Sequence, residues 1–313
     1  MKNSEITFVI QGPVSEVRTS ESIDAIKKNF PGCQIILSTW KGESINGLQV
    51  DEVLFNDDPG ASIFVYNKKN EPVYVNINRQ IVSSLEGLRR VKTKYAVKLR
   101  ADNILEKTTV KEIFSSYKLR DERFSIFNSR VVCANFCARE VERGLHMPYF
   151  LSDFFYFGET EDLIRFWDTE LYSNYEFDSN LSGKKQHVNY PRDSIHVEQM
   201  LFTSFLNRYT PTSIFDEHGE RSDKLKSRKY MINNFVIVDG STLGLNVPLR
   251  LSQKDSFPYN FFTYSRWKWL YEREYQQGLN VDWKFKVSWY IGRVYSYLQK
   301  GWRLQIRKIV GRI

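Results

Sequence analysis

Short, continuous apolar runs separated by amphipathic stretches of helix length constrain this chain more than anything else in it. Ile6-Thr7-Phe8-Val9-Ile10 does not alternate in hydrophobicity, and it ends at Gln11-Gly12-Pro13. A strand covered on both faces reads this way before a forced turn. Gln34 to Thr39, Glu52 to Phe55 and Tyr95 to Leu99 repeat the pattern. After the first run, Ser20 is placed to cap a helix bearing Ile23, Ile26 and Phe30 on one face, stopped by Pro31-Gly32. Before the fourth, Asn76 is placed to cap a helix bearing Val82, Leu85, Leu88 and Val91. Strand, helix and strand in alternation predict an α/β fold, a mostly parallel sheet with right-handed crossovers and helices on its faces.

The middle of the chain is less regular. Phe124 to Phe136 reads as strand, Tyr149 to Gly158 as aromatic and extended, Glu161 to Trp167 and His196 to Asn207 as helices, and Phe235 to Val238 as one more strand. With 313 residues, 42% of them hydrophobic, the chain is long enough for one large domain. We place that domain at residues 1–255 and a basic, aromatic helical tail at 256–313. The net charge of +8 is located in that tail, because from Arg266 to Ile313 eleven Lys and Arg stand against three acids. There Val287, Tyr290, Ile291, Val294, Tyr297 and Leu298 fall at spacings of three and four, with Trp283, Trp289 and Trp302 interleaved by cations. The pattern fits an amphipathic helix lying in an anionic headgroup layer. It equally fits a packed helix pair with a basic solvent face.

No apolar run approaches the roughly 18 residues of a spanning helix, and no cleavable hydrophobic segment follows Met1. The expected location is therefore cytoplasmic, peripheral at the inner face of the cytoplasmic membrane. Cys33, Cys133 and Cys137 make an odd set that fits reduced thiols, and no His or Cys pair accompanies them at zinc-ligand spacing. Nucleic acid is not the expected partner, since the tail's aromatics sit at helical core spacing.

The chemistry-bearing residues gather at strand ends, where open α/β sheets bind ligands. Lys98-Leu99-Arg100-Ala101-Asp102-Asn103 leaves the fourth strand. There Asp102 could hold a divalent cation, Mg²⁺ or Mn²⁺, against a diphosphate while Arg100 offsets phosphate charge. Asp57 and Asp58 end the third strand, where a carboxylate can accept hydrogen bonds from a nucleoside, although Asn-Asp-Asp-Pro-Gly is also an ordinary turn. Gln11, Gly12 and Pro13 end the first strand, where glycine permits close approach of a nucleotide. Ser38, near the end of the second strand, joins this donor-side set, as does Arg79 in the first turn of a helix. A base for an acceptor hydroxyl must come from elsewhere. Asp153, inside an aromatic run, and Glu198, in a first helical turn, are the two candidates, with His146 and His196 as helpers.

Taken in order, Ile6 to Val14, Phe30 to Gly42, Asn56 to Gly60, Asn76 to Gln80, Tyr95 to Asp102 and Ser152 to Gly158 resemble the WavE family of bacterial lipopolysaccharide and capsule synthesis. The resemblance covers residues 5 to 205. It implies a GT-A-type (Rossmann-like) glycosyltransferase that takes a sugar from a nucleotide-sugar donor, with inversion as the default. Arg100-Ala101-Asp102 stands where such enzymes carry Asp-x-Asp, which puts metal dependence in question. Val197-Glu198-Gln199 is similar to the element that supplies their base, with Gln199 for Asp, so either Glu198 or Asp153 fills that role. The acceptor implied is a lipid-linked or oligosaccharide chain. A sugar nucleotidyltransferase would share the sheet, but Gln11-Gly12-Pro13-Val14 lacks its Gly- and basic-rich phosphate loop. A basic nucleic-acid-binding module would use the tail alone.

Overall fold

The computed structural model describes every residue except 68, 143–144, 178–194, 215–216, 253–259, 304–305 and 307–313. The first half follows the alternation of the sequence: β1 (Ile6–Gln11), α1 (Glu16–Asn29), β2 (Gln34–Trp40) and β3 (Glu52–Asn56). A hairpin of β4 (Ser62–Tyr66) and β5 (Pro72–Val75) then precedes α2 (Ile77–Arg90) and β6 (Tyr95–Arg100). Next come β7 (Ile104–Leu105), α3 (Val110–Ser116), β8 (Val131–Ala134) and the small hairpin of β9 (Val141–Glu142) and β10 (Leu145–His146). The chain continues through β11 (Phe155–Glu159), α4 (Thr160–Trp167), α5 (Val197–Asn207), α6 (Arg221–Asn234), β12 (Phe235–Val238), α7 (Gly240–Leu243) and β13 (Leu245–Asn246). Two helices, α8 (Tyr264–Tyr275) and α9 (Trp283–Ser296), follow.

Seven strands form one sheet in the order β12-β8-β11-β6-β1-β2-β3. All neighbours are parallel except β11, which runs antiparallel to both β6 and β8. The class is therefore the expected one: α/β, mostly parallel, flanked by helices. Ile6, Phe8, Val9 and Ile10 are all buried, as a strand covered on both faces requires. α2 lies unusually close to this sheet because Gly87 has no side chain. A Cβ there would stand 2.4 Å from Val9 Cγ1 and 2.9 Å from Ser38 Cβ. That close approach sets the amino end of α2 over the strand ends.

Two local readings change in the fold. α1 begins at Glu16 after Ser15, a turn earlier than a cap at Ser20 would allow. Of the strand-like run Phe124 to Phe136, only Val131–Ala134 pairs. The amides before it are already taken: Asn128 and Ser129 donate to the Asp162 carboxylate at 2.8 and 2.9 Å, and Ile126 and Phe127 to Asn234 Oδ1. Backbone donors satisfied by side chains have no need of a ladder.

α8 is anchored in the main core by Trp267, and a buried Arg266–Glu140 pair ties it to the loop before β9. α9 attaches through a small cluster of Trp269, Val281 and Trp289. The boundary expected at 255/256 lies outside the described residues. Among the described residues, no helix is long and apolar enough to cross a membrane.

Candidate functional site

β1 leads to β2 on one side, and the chain later returns to pair β6 on the other, so the carboxyl ends of β1 and β6 flank a topological switch point. Gln11 and Arg100 are register partners there. Ala101 donates its amide to the Gln11 carbonyl at 2.9 Å, and Gly12 donates to the Ser38 carbonyl at 3.0 Å. Gly12 turns at φ 106°, in the left-handed region that glycine tolerates. Over these ends opens a cleft of about 470 Å³. Its floor is Gln11, Gly12, Pro13 and Arg100 to Asp102; α2 contributes Arg79 and Ser83, and Arg250 closes the far wall.

The cleft is organised by interlocked ion pairs. Arg100 grips Asp102 with Nε at 3.0 Å and Nη2 at 2.9 Å, and Arg250 reaches the same carboxylate at 2.8 Å. Burial pushes the Asp102 carboxyl up, but Arg100 and Arg250 outweigh it and hold the group below the usual carboxylate range. Arg18 donates to the Asp102 carbonyl at 2.7 Å, which fixes the turn. Arg79 grips Asp58 with Nε and Nη2, both at 2.7 Å, and these hydrogen bonds lower the Asp58 carboxyl. Asn76 orients Arg79 by accepting from Nη1 at 2.9 Å, and Ser83 donates to Gln11 at 2.6 Å. Arg79, Arg100 and Arg250 thus face one cleft with Asp58 and Asp102 bound to them, and Glu43 also lines it, so guanidiniums and carboxylates stand three to three. Guanidiniums fixed in this way can offer bidentate hydrogen bonds to a diphosphate.

Beneath Arg100 lies Lys98, fully buried, donating to the Asp153 carbonyl and sitting 4.6 Å from the Trp167 ring. Burial lowers its ammonium to about 7, and Arg100 adds to that, while Asp153 and Asp102 oppose it. Asp153 is itself buried, beside Phe154, whose ring packs under the Arg100 guanidinium. Glu198, on α5, is raised by burial and then by the charge of Asp153. Both effects disfavour the ionised form and make this carboxyl more basic than a solvent-exposed one.

Of the expected donor-side residues, the cleft brings together Gln11, Gly12, Pro13, Asp58, Arg79, Arg100 and Asp102. Ser38 and Asp57 stand apart from it. Ser38 is fully buried, its hydroxyl accepting from Asn56 at 2.9 Å, and Asp57 faces solvent in an ion pair with Lys41. Neither Asp153 nor Glu198 lines the cleft; Asp153 acts on it electrostatically through Arg100, whereas Glu198 interacts with Asp153 and with no cleft residue directly. Arg250 was not among the expected residues. It follows β13 in a stretch with no motif, and only tertiary structure carries it to Asp102.

The donor set does not suit a divalent cation. Both Asp102 oxygens already accept from guanidiniums, and of the other carboxylates lining the cleft, Glu43 and Asp58, the latter is gripped by Arg79. Mg²⁺ and Mn²⁺ favour several oxygen ligands. Elsewhere Glu142, His196 and Glu217 bring donor atoms within 4.8 Å of one another, yet each has a partner: Arg139 for Glu142, and both His196 and His218 for Glu217.

A family model described as WavE lipopolysaccharide synthesis matches residues 6–303, nearly the whole chain. The chain belongs to that family. A WavE protein thus carries its strand-end arginines and Asp102 at the switch point of a parallel sheet. No curated protein matches this chain. Among solved structures it is similar to HddC from Yersinia pseudotuberculosis, complexed with GMP-PN, at 9% identity over 51% of this chain and 77% of that one. The TM-score of 0.29 is too low for that likeness to inform function.

Proposed function

We propose that this WavE family member is a GT-A-type, inverting glycosyltransferase. It moves a hexose or related sugar from a nucleotide-sugar donor to a lipid-linked or surface polysaccharide acceptor of lipopolysaccharide or capsule synthesis. The observation that carries the reading is the convergence of Arg79, Arg100 and Arg250 on one cleft at the β1/β6 switch point. Transfer from a nucleotide sugar builds negative charge on the departing diphosphate, and fixed guanidiniums aimed at that charge stabilise it. Arg100 and Arg250 hold the diphosphate with Asp102 as their organiser, Asp58 meets the nucleoside, and Glu198 or Asp153 takes the acceptor proton. The acceptor places the enzyme at the inner face of the cytoplasmic membrane, with α9 toward the lipid.

A panel of UDP-, GDP-, CMP- and dTDP-sugars, scored by thermal shift and by donor hydrolysis with and without Mn²⁺, tests this. One nucleotide class stabilises the protein and is hydrolysed, without requiring the metal. If no member of the panel shifts the melting temperature, the transferase reading fails.

A further inference from the structure

A second cavity, of about 460 Å³, opens where α9 meets α6, α8 and β10. Its polar wall is Arg228, Arg266, Arg273 and Arg293, with His146. One carboxylate, Glu140, answers them, and it is taken: Arg266, only 2% exposed, grips it at 2.7 and 2.9 Å, and the Trp289 indole donates to it at 3.3 Å. Arg228 stands 3.7 Å from Glu140 and donates to His146 Nε2 at 2.6 Å, so the imidazole is a neutral acceptor. Burial, then the charges of Arg228 and Arg293, hold that imidazole to about 3. Among the described residues, Arg273 and Arg293 have no acid within ion-pair distance. Positive charge is therefore in excess, with Arg266 buried at the back of the pocket and Arg273 exposed at its mouth.

The outer wall of the same cavity is apolar. Tyr290 and Val294 line it and also belong to an exposed stripe with Val287 and Ile291 on α9 and Leu298 in the helical turn after it; Ile291 and Leu298 are 65% and 63% exposed. Trp289 faces the other way, into the cluster that fastens the helix, and among the described residues none covers the stripe. Anion-binding depth beside an exposed aliphatic stripe matches an amphiphile with a phosphate head and a hydrocarbon body. Nucleic acid fits the arginines but would leave Ile291, Val294 and Leu298 in water.

We propose that this cavity is a headgroup site for anionic phospholipid, with the α9 stripe seated among the acyl chains of a bilayer. The proposal rests on the membrane-bound acceptor in the reading above, but not on its donor chemistry. Phosphate oxygens accept from Arg273 and Arg293 at the mouth, while Arg266 and Glu140 hold the pocket's shape from behind.

The full chain is sedimented with phosphatidylcholine vesicles, with and without phosphatidylglycerol. Binding should require phosphatidylglycerol and weaken with salt. R273Q/R293Q should bind about 25-fold more weakly, from about fivefold for each cation withdrawn from an anionic surface. R273K/R293K keeps the charge and should retain binding, which separates lost attraction from lost folding. I291S/L298S should also weaken it. Equal binding to both vesicles, or an R273Q/R293Q protein that binds as the parent does, overturns the proposal. So does a protein that ignores both vesicles but retards random duplex DNA through the same arginines. The nucleotide thermal shift, read on each variant, reports the first cleft separately.

Discussion

Asp102→Asn is the most informative single change, because it keeps the shape of the side chain and removes the charge that two arginines share. The Asp102 and Arg100 side chains are 13% and 20% exposed, so their bidentate pair is partly shielded, whereas Arg250 is 70% exposed and adds little to stability. A hydrogen bond to a charged group is worth about 1.5–3 kcal/mol, and an amide keeps one acceptor of two, so a net loss of about 2 kcal/mol is expected. At a specific unfolding entropy of about 2.1 cal/mol/K per residue, that corresponds to a melting point about 3 °C lower. Nucleotide binding should move the other way. With one negative charge gone, the three guanidiniums present more net charge to a diphosphate, so the thermal shift given by the nucleotide should hold or grow. Donor hydrolysis should nevertheless fall, since Arg100 and Arg250 lose the anchor that aims them. Differential scanning fluorimetry, with and without nucleotide, together with a donor-hydrolysis assay reads all three effects. If D102N turned donor over at the parental rate, Asp102 would have no place in the machinery. If it lost nucleotide binding and Mn²⁺ dependence together, the carboxylate would be a metal ligand, and the arginine reading would be refuted.

Gly87→Ala should destabilise the protein by about 1–2 kcal/mol in denaturant titration, because overpacking against Val9 and Ser38 exceeds the roughly 1 kcal/mol of helix propensity gained; a neutral or stabilising result would mean that α2 does not lie as close as described. Glu198→Gln or Asp153→Asn, whichever removes the base, should cut turnover by about 10²- to 10⁴-fold and leave the nucleotide thermal shift intact. If both variants keep their activity, neither carboxylate is the base. His146 is held neutral in the fold, from 6.5 to about 3, so as pH falls through that window the unfolded chain takes up the proton first. Stability contributed by that group is full above pH 6.5 and declines below it by up to about 1.4 kcal/mol per pH unit. His146→Gln, which can still accept from Arg228, should remove that part of the slope; an unchanged acid profile would contradict the burial of His146.

Local chemistry made the sheet strands of the first hundred residues readable, though not the β4–β5 hairpin. Ile6–Ile10 and Tyr95–Leu99 are uninterrupted apolar runs because both sheet faces are covered, and a run of that kind tells where a strand lies and, at its end, where polar residues meet a ligand. The first half of Phe124 to Phe136 misled because Phe124, Ile126 and Phe127 pack against the core without pairing: Asp162 and Asn234, from elements far along the chain, satisfy the amides from Ile126 to Ser129. α6 escaped notice because Ser227, Asn233 and Asn234 occupy its buried face and erase the hydrophobic period. Ser38 looked available at a strand end, but the small space beneath Gly87 encloses it. In the tail, Val287, Tyr290, Ile291 and Val294, read at spacings of three and four, lie exposed on α9. The spacing could not tell that Trp289 turns inward while Ile291 and Leu298 stay exposed, since that depends on where Trp269 lies.

Arg250 shows why half of the cleft's charge balance is a tertiary property. Asp102 and Arg250 are 148 positions apart, and no spacing rule joins them. What joins them is a two-residue antiparallel pairing, Leu245 with Leu105 and Asn246 with Ile104, which lays the segment after β13 beside the turn that holds Asp102. Arg18 locks the two together, donating to the Asp102 carbonyl and to both oxygens of Asn246. The Asp102 carboxylate therefore receives its second guanidinium only when the whole domain has folded. A metal entering the corner would have to displace two guanidiniums that cannot be neutralised at physiological pH. Arg100 and Arg250 thus make the positive charge at this corner a fixed part of the folded protein.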